Sequence, residues 1–425
     1  MYPASLLGQA LALVLGAHLA AAVTLDTEGL PDSGLDTSSW QAGVKPPLTD
    51  IFNLHDMQLA TKNYLGATEY AYIRTGSLDE LTYHANLDIW KSVKLKPHQS
   101  HGRNVMNVSV GQTMLGHKFS VPFFIAPAGY SSFTDPQNGE LNLVKGAGNQ
   151  GALYVPSILS SKSTAEMAAA RVQNQTMFRQ IYPWANRTRL LNDFAEAEKS
   201  GYKAIFLTMD NPTVQGIRTR ALRKGAPDSS GMYSTDRSLR TVAELQKLTT
   251  LPIVPKGIIS WEDAKLCLDL GFKAIYISNH GGRLIDTAPT AVEILLDIHK
   301  NAPEVFNMEI YADGGVRRGS DVVKLLALGA KAVGLGRPAI FSNSWGAEGV
   351  EKFFTLLKRE LTTTMQLLGV TELSQLDRSY TLDFSLFLGG VDDNNILHNL
   401  WKISADEPPN IAAVDVESDL APTHW

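Results

Sequence analysis

The chain has 425 residues, 44% of them hydrophobic and 19% charged, with 34 Gly and 20 Pro. That balance excludes disorder, a coiled coil and a collagen-like fibre, and a net charge of −5 gives no electrostatic basis for binding nucleic acid. Its one cysteine, Cys267, excludes an internal disulfide, a zinc ribbon and an iron–sulfur cluster, so no metal is expected and stability must come from a packed core.

Residues 1–22 read as a signal peptide. Leu6 to Val23 is almost wholly apolar and ends in Leu19-Ala20-Ala21-Ala22, small residues of the kind that precede cleavage. The lack of any Lys or Arg before Lys45 excludes a mitochondrial transit peptide. The expected localisation is the secretory pathway, with membrane anchoring by the same apolar segment as the alternative. The sequons at Asn107, Asn174 and Asn186 fit a secreted glycoprotein, at a number that chance also supplies.

Residues 23–50 read as a linker, because Thr24 to Pro47 is acidic and rich in Ser, Gly and Pro. Asn53 to Trp90 has helical spacing. From Pro122 a different pattern begins, in which short apolar runs alternate with polar loops and helical stretches. The runs are 122–126, 153–156, 177–182, 204–209, 252–254, 274–277, 309–312 and 332–335. Eight β/α units, their strands continuously apolar because both faces are buried, predict an α/β fold, a (β/α)8 TIM barrel within a domain at 51–390. An open doubly wound sheet competes, but the G-x-G-x-x-G turn it needs after a first strand is absent. Residues 391–425 read as a C-terminal tail.

Chemistry in such a barrel sits where the strands end. The sixth end reads Ser278-Asn279-His280-Gly281-Gly282-Arg283, placing a base and a carboxylate-binding fork on either side of two glycines. A lone histidine there would more often be structural; the Gly-Gly-Arg beside it favours function. The seventh and eighth ends, Asp313-Gly314-Gly315-Val316-Arg317-Arg318-Gly319 and Gly334-Leu335-Gly336-Arg337-Pro338, combine glycines with arginines at the strands that usually hold phosphate. At the fifth end, Lys256 is costly to bury unless it meets a negative partner, such as a reduced flavin. At the fourth, Asp210 is either the partner that orients His280 or a helix N-cap before Asn211-Pro212.

These motifs resemble the FMN-dependent α-hydroxy-acid oxidases and dehydrogenases, the family of glycolate oxidase, lactate oxidase and the flavin domain of flavocytochrome b2. The resemblance runs from about Asn53 to Gly389. It implies that His280 is the catalytic base, with Asp210 its partner. Arg283 and Tyr72 would hold the substrate carboxylate, Arg218 would be a second substrate-binding arginine, allowing one inserted residue, and Tyr182 would lie near the substrate hydroxyl. Pro127, Ala128, Ser157, Gln180, Thr208, Lys256 and Ser278 would hold the flavin, and Asp313, Gly315, Arg317, Gly336 and Arg337 its ribityl chain and phosphate. The cofactor implied is FMN and the activity is oxidation of an (S)-2-hydroxy acid, with oxygen or another electron acceptor. Family relatives are often tetramers, so a homo-oligomer is implied too.

The chain departs from the family pattern at Leu284-Ile285-Asp286, where Gln-Leu-Asp is common. It departs again at Ala126-Pro127-Ala128-Gly129, where a smaller Gly129 would alter the room beside the flavin, and in a short lid from Arg220 to Leu239. These differences motivate a second reading, a tailoring oxidase acting on a larger carboxylated metabolite in the secretory pathway. A third is a non-catalytic secreted barrel.

Overall fold

The computed structural model describes residues 25–382, apart from 33, 99–103, 212–215, 227–233, 235 and 237. The readings of residues 1–22 and 391–425 therefore lie outside the described residues, as does much of the lid. Eight strand positions build the core. They are β1 (Phe123–Ile125), β2 (a single paired residue, Tyr154), β3 (Arg179–Ile181), β4 (Ile205–Thr208), β5 (Ile253–Ile258), β6 (Ala274–Ile277), β7 (Glu309–Ala312) and β8 (Ala332–Leu335). From β3 to β8 and on to β1, every neighbouring pair is parallel. Tyr154 bridges Ile125 on one side and Met177, just ahead of β3, on the other, which closes the ring. The fold is a TIM barrel, as the eight apolar runs predict.

The first, third and fourth runs are trimmed by one or two residues at each end, and the second and fifth differ in kind. The second forms no strand beyond Tyr154. The fifth continues through Pro255-Lys256-Gly257, residues that read as breakers, because a register shift between Lys256 and Ile258 absorbs Gly257 at φ +98°.

Inside the ring, Phe124, Phe206, Tyr276 and Tyr311 interlock edge-to-face or stacked, with small Ala204, Ala274 and Ala332 beside them. Met114 and Phe119, from a hairpin pairing Gln112–Met114 with His117–Phe119, join this cluster at the end where the strands begin. Leu115 N–H there donates to Glu309 at the start of β7. The opposite mouth is thereby left for chemistry.

Helices follow the strands around the outside. The last, Gly346–Leu368, packs on Glu140–Asn149 and Gly319–Ala327, closely enough that a Cβ on Gly146 would lie 2.5 Å from Val350. Ahead of the barrel, the region 53–90 divides into three helices, α1 (Leu54–Tyr64), α2 (Ala67–Arg74) and α3 (Leu81–Ser92). An Asn53–Asp56 capping box starts α1. The stretch expected to be a linker lies against the barrel unit. Lys45 donates to Ser344 O at 2.7 Å, Trp345 Nε1 donates to Pro46 O at 2.9 Å, and Trp40 is buried.

Candidate functional site

The strand ends converge on one cleft at the C-terminal mouth of the barrel, lined by residues that include Tyr72, Tyr182, His280, Arg283, Lys256 and Arg337. His280 leaves β6 in the left-handed conformation at φ +58°, followed by Gly281 and Gly282 at +66° and +73°. Three such residues in a row swing the imidazole back toward β4, and Gly282 is obligatory because a Cβ there would sit 2.6 Å from Tyr83 N. The ring's Nδ1 lies 2.9 Å from Asp210 Oδ1 at the end of β4. Asp210 therefore faces His280, the first of its two sequence readings. Gly257 makes room for it, since a Cβ at that position would stand 2.5 Å from Asp210 Cβ and Cγ.

Lys256 is 4% exposed and has no carboxylate partner among the described residues. Its Nζ donates to Ser278 Oγ at 2.9 Å and lies 4.8 Å from the Tyr276 ring centroid. The Ser278 hydroxyl oxygen also accepts from His280 N at 3.1 Å, so one side chain ties the lysine to the histidine turn. Across the cleft, Gln180 bridges Ser157 Oγ at 2.9 Å and Thr208 Oγ1 at 2.8 Å, a polar chain over three adjacent strand ends.

The electrostatics are lopsided. Arg218, Arg283, Arg317 and Arg337 all line the cleft, and among the described residues none forms an ion pair with a carboxylate. Their protein partners are backbone carbonyls and one hydroxyl. Arg283 donates to Tyr72 O at 3.2 Å and to Ile73 O. Arg218 donates to Thr75 Oγ1 at 2.8 Å and to Tyr72 O. Both guanidiniums stand near the Tyr72 ring, 5.0 Å for Arg218 and 6.0 Å for Arg283. Burial, with Arg283 adding repulsion, pulls Arg218 down to about 9, and burial lowers Arg283, Arg317 and Arg337 as well. Buried cations without acids are an anion site awaiting its anions.

Asp313 accepts from Tyr276 OH at 2.9 Å through Oδ2, while its buried Oδ1 has no hydrogen-bond partner among the described residues, an acceptor free for a ligand hydroxyl. The glycines beside it set the floor of the cleft. A Cβ on Gly315 would lie 1.8 Å from Asn86 O, and one on Gly334 would lie 2.1 Å from Tyr276 OH.

Comparison with known proteins decides the assignment. The FMN-dependent dehydrogenase family model matches residues 61–235 and 228–383. The chain belongs to the FMN-dependent dehydrogenase family. It is 32% identical to the L-lactate dehydrogenase (cytochrome) of Wickerhamomyces anomalus over 356 residues, 78% of this chain and 61% of that one. It spans 64% of the corresponding Saccharomyces cerevisiae enzyme, and so less than two thirds of these two relatives. The glycolate oxidase of Spinacia oleracea is also 32% identical, across 78% of this chain and 95% of its own length. Among solved structures, the flavin-binding domain of baker's yeast flavocytochrome b2 superposes with a TM-score of 0.76 at 32% identity, over 88% of this chain and 96% of that one. The lactate oxidase of Pediococcus acidilactici gives 0.73 at 32% identity, over 78% and 94%.

The family is FMN-dependent, and the cleft fits FMN. The acid-free arginines suit a phosphate, the free Asp313 Oδ1 suits a ribityl hydroxyl, and buried Lys256 suits an electron-rich ring edge.

All the site residues expected from sequence line this cleft except Asp210 and Ser278, which stand directly behind His280 and Lys256. Sequence reasoning passed over several others. Asn211 lines the cleft beside Asp210, and its proximity to that strand end was the available signal. Asn86 on α3 exchanges a pair of 2.9 Å hydrogen bonds with Asn279, a contact between distant segments with no local signature. Gly129 marks a close approach. A Cβ there would be 2.8 Å from Leu159 O, so the glycine lets the Leu159 segment into the cleft wall.

Proposed function

We propose that this enzyme oxidises an (S)-2-hydroxy acid to the 2-oxo acid, with oxygen as the final acceptor. The observation that carries the reading is the His280–Asp210 pair at 2.9 Å, set in the same cleft as the acid-free pair Arg218 and Arg283 around Tyr72. A base and a carboxylate clamp together suit a molecule with a hydroxyl next to a carboxylate.

FMN, when bound, supplies the two-electron acceptor. Arg283, Arg218 and Tyr72 fix the substrate carboxylate and so the orientation of its Cα. His280 takes a proton from the substrate, Asp210 holds the imidazole and stabilises its charged form, and Tyr182 faces the hydroxyl. Pro127, Ala128, Ser157, Gln180, Thr208, Lys256 and Ser278 hold the ring system. Asp313, Gly315, Arg317, Gly336 and Arg337 hold the ribityl phosphate. The oxidase relatives support oxygen as acceptor.

The test is an anaerobic absorbance titration of the purified protein with L- and D-2-hydroxy acids. Loss of the flavin's visible absorbance with an L-acid, restored by air, is the expected result. Loss without rapid return would point to a different acceptor, and a colourless protein that rejects FMN would overturn the enzyme reading.

One observation favours a larger substrate than glycolate. Leu159 and Leu284 put two apolar side chains on the cleft wall. This apolar wall suits a bulky 2-substituent. On that reading, catalytic efficiency rises with chain length across the same panel. Passage through the secretory pathway is also proposed, supported by the apolar run before Val23 and by exposed Asn107, Asn174 and Asn186. N-terminal sequencing of protein recovered from the medium tests it.

A further inference from the structure

Tyr83, on the first turn of α3, takes no part in the chemistry above, yet it is 3% exposed at the back of the arginine group. Two guanidiniums share its ring. Arg74 Cζ lies 4.3 Å from the ring centroid and Arg337 Cζ lies 4.8 Å from it. Both distances are inside the range of a cation–π contact, and a buried ring makes such contacts stronger than exposed ones.

Among the described residues, the other hydrogen-bond partners of Arg337 are carbonyl oxygens, those of Ile73 at 3.2 Å, Gly281 at 2.9 Å and Thr75 at 3.1 Å. Arg74, by contrast, has its own acid. It pairs with Glu80, which also accepts from Gly76 N at 2.7 Å and lies 3.3 Å from Arg220. Among the described residues, the tyrosine face is thus the nearest thing to a counter-charge that Arg337 has. Its placement is exacting, because added Cβ atoms at Gly76 and Gly282 would lie 3.0 Å from Tyr83 Cβ and 2.6 Å from Tyr83 N. Two glycine loops thus press on the backbone and Cβ of Tyr83 and fix where its side chain starts.

We propose that Tyr83 is a cofactor-positioning residue, whose ring holds the Arg337 guanidinium in place to receive the FMN phosphate. A planar cation on a four-bond stem loses rotamer freedom when it binds an anion. A ring that has already fixed its plane removes part of that cost, so the contribution falls on cofactor affinity rather than on turnover. The inference rests on the assignment of Arg337 to the phosphate, and the test separates the two.

The full-length protein is freed of FMN, and binding of FMN and of riboflavin, which lacks the phosphate, is measured by quenching of flavin fluorescence. Tyr83→Phe keeps the ring and should bind both as the natural chain does, within about twofold. Tyr83→Leu should weaken FMN about tenfold and leave riboflavin within about twofold, because only the phosphate reads Arg337. Tyr83→Met, closer in length to tyrosine, replaces Leu if that variant does not fold.

Arg337→Gln is the control. If it leaves FMN affinity unchanged, the phosphate assignment itself falls, and the inference with it. If it weakens FMN selectively while neither Tyr83→Leu nor Tyr83→Met does, the assignment stands and the inference is overturned. Equal weakening of both flavins by the Tyr83 variants also overturns it, since that is the mark of a general packing role.

Discussion

Asp210 and Gly257 act as one unit although they lie on different strands. The carboxylate reaches His280 Nδ1 at 2.9 Å only because position 257 has no Cβ and adopts φ +98°. Asp210→Asn should keep FMN bound and lower kcat by about 10²- to 10⁴-fold, since the amide cannot stabilise a charged imidazole. Gly257→Ala should do comparable damage to kcat by pushing Asp210 aside, and cost about 1–3 kcal/mol of stability besides, read by thermal unfolding. Arg218 gives a pH signature. Its charge is lost as pH rises through about 9 in the free enzyme, so kcat/KM should fall above that pH. A bound carboxylate favours the charged form and moves that loss upward, so kcat should hold to higher pH; a flat kcat/KM to pH 10 would remove Arg218 from substrate binding. At this scale the sequence was eloquent about His280 and Arg283, whose glycines announce them. It left Asp210 open between partner and cap, because the fact that decides it is the missing Cβ of a residue 47 positions away.

Among the elements, the strands were readable because parallel barrel strands are buried on both faces and spell out their own length. β6, β7 and β8 occupy the runs 274–277, 309–312 and 332–335 without adjustment. β5 runs past its apolar stretch at 252–254 through Pro255 and Gly257, which the register shift to β6 keeps in the sheet. The second run reduces to Tyr154 for the opposite reason: apolar character secures burial, whereas pairing needs neighbours in register on both sides. The segment 53–90 shows the limit of helical periodicity, which persists through the breaks at Leu65-Gly66 and 75–80 and so hides them. One element-level prediction follows from β8. Gly334→Ala would put a Cβ 2.1 Å from Tyr276 OH, the donor to Asp313. It should cost about 1–3 kcal/mol in denaturant unfolding and weaken FMN binding, because the displaced phenol lets Asp313 move.

For the whole molecule, composition marks residues 23–50 as a linker but does not say whether such a segment docks. Ser, Gly and Pro mark a segment without regular structure, which is compatible with docking as well as with freedom. Trp40, Lys45 and Pro46 fasten it. Trp40→Ala should lower stability by about 2 kcal/mol with FMN affinity unchanged, measured by thermal unfolding and fluorescence titration. The four acid-free arginines have a thermodynamic consequence beyond binding. Before any anion arrives, the folded state confines like charges that the unfolded chain would hold apart in water, so the barrel is held together in part by whatever neutralises them. For Arg317 and Arg337 that is the FMN phosphate on the proposed assignment. FMN then acts as a folding ligand. At a free concentration one hundred times its Kd it adds about 2.7 kcal/mol to the unfolding free energy, and the melting temperature should climb with FMN concentration. A cell short of the cofactor would therefore lose the protein itself, through unfolding and proteolysis, as well as its activity.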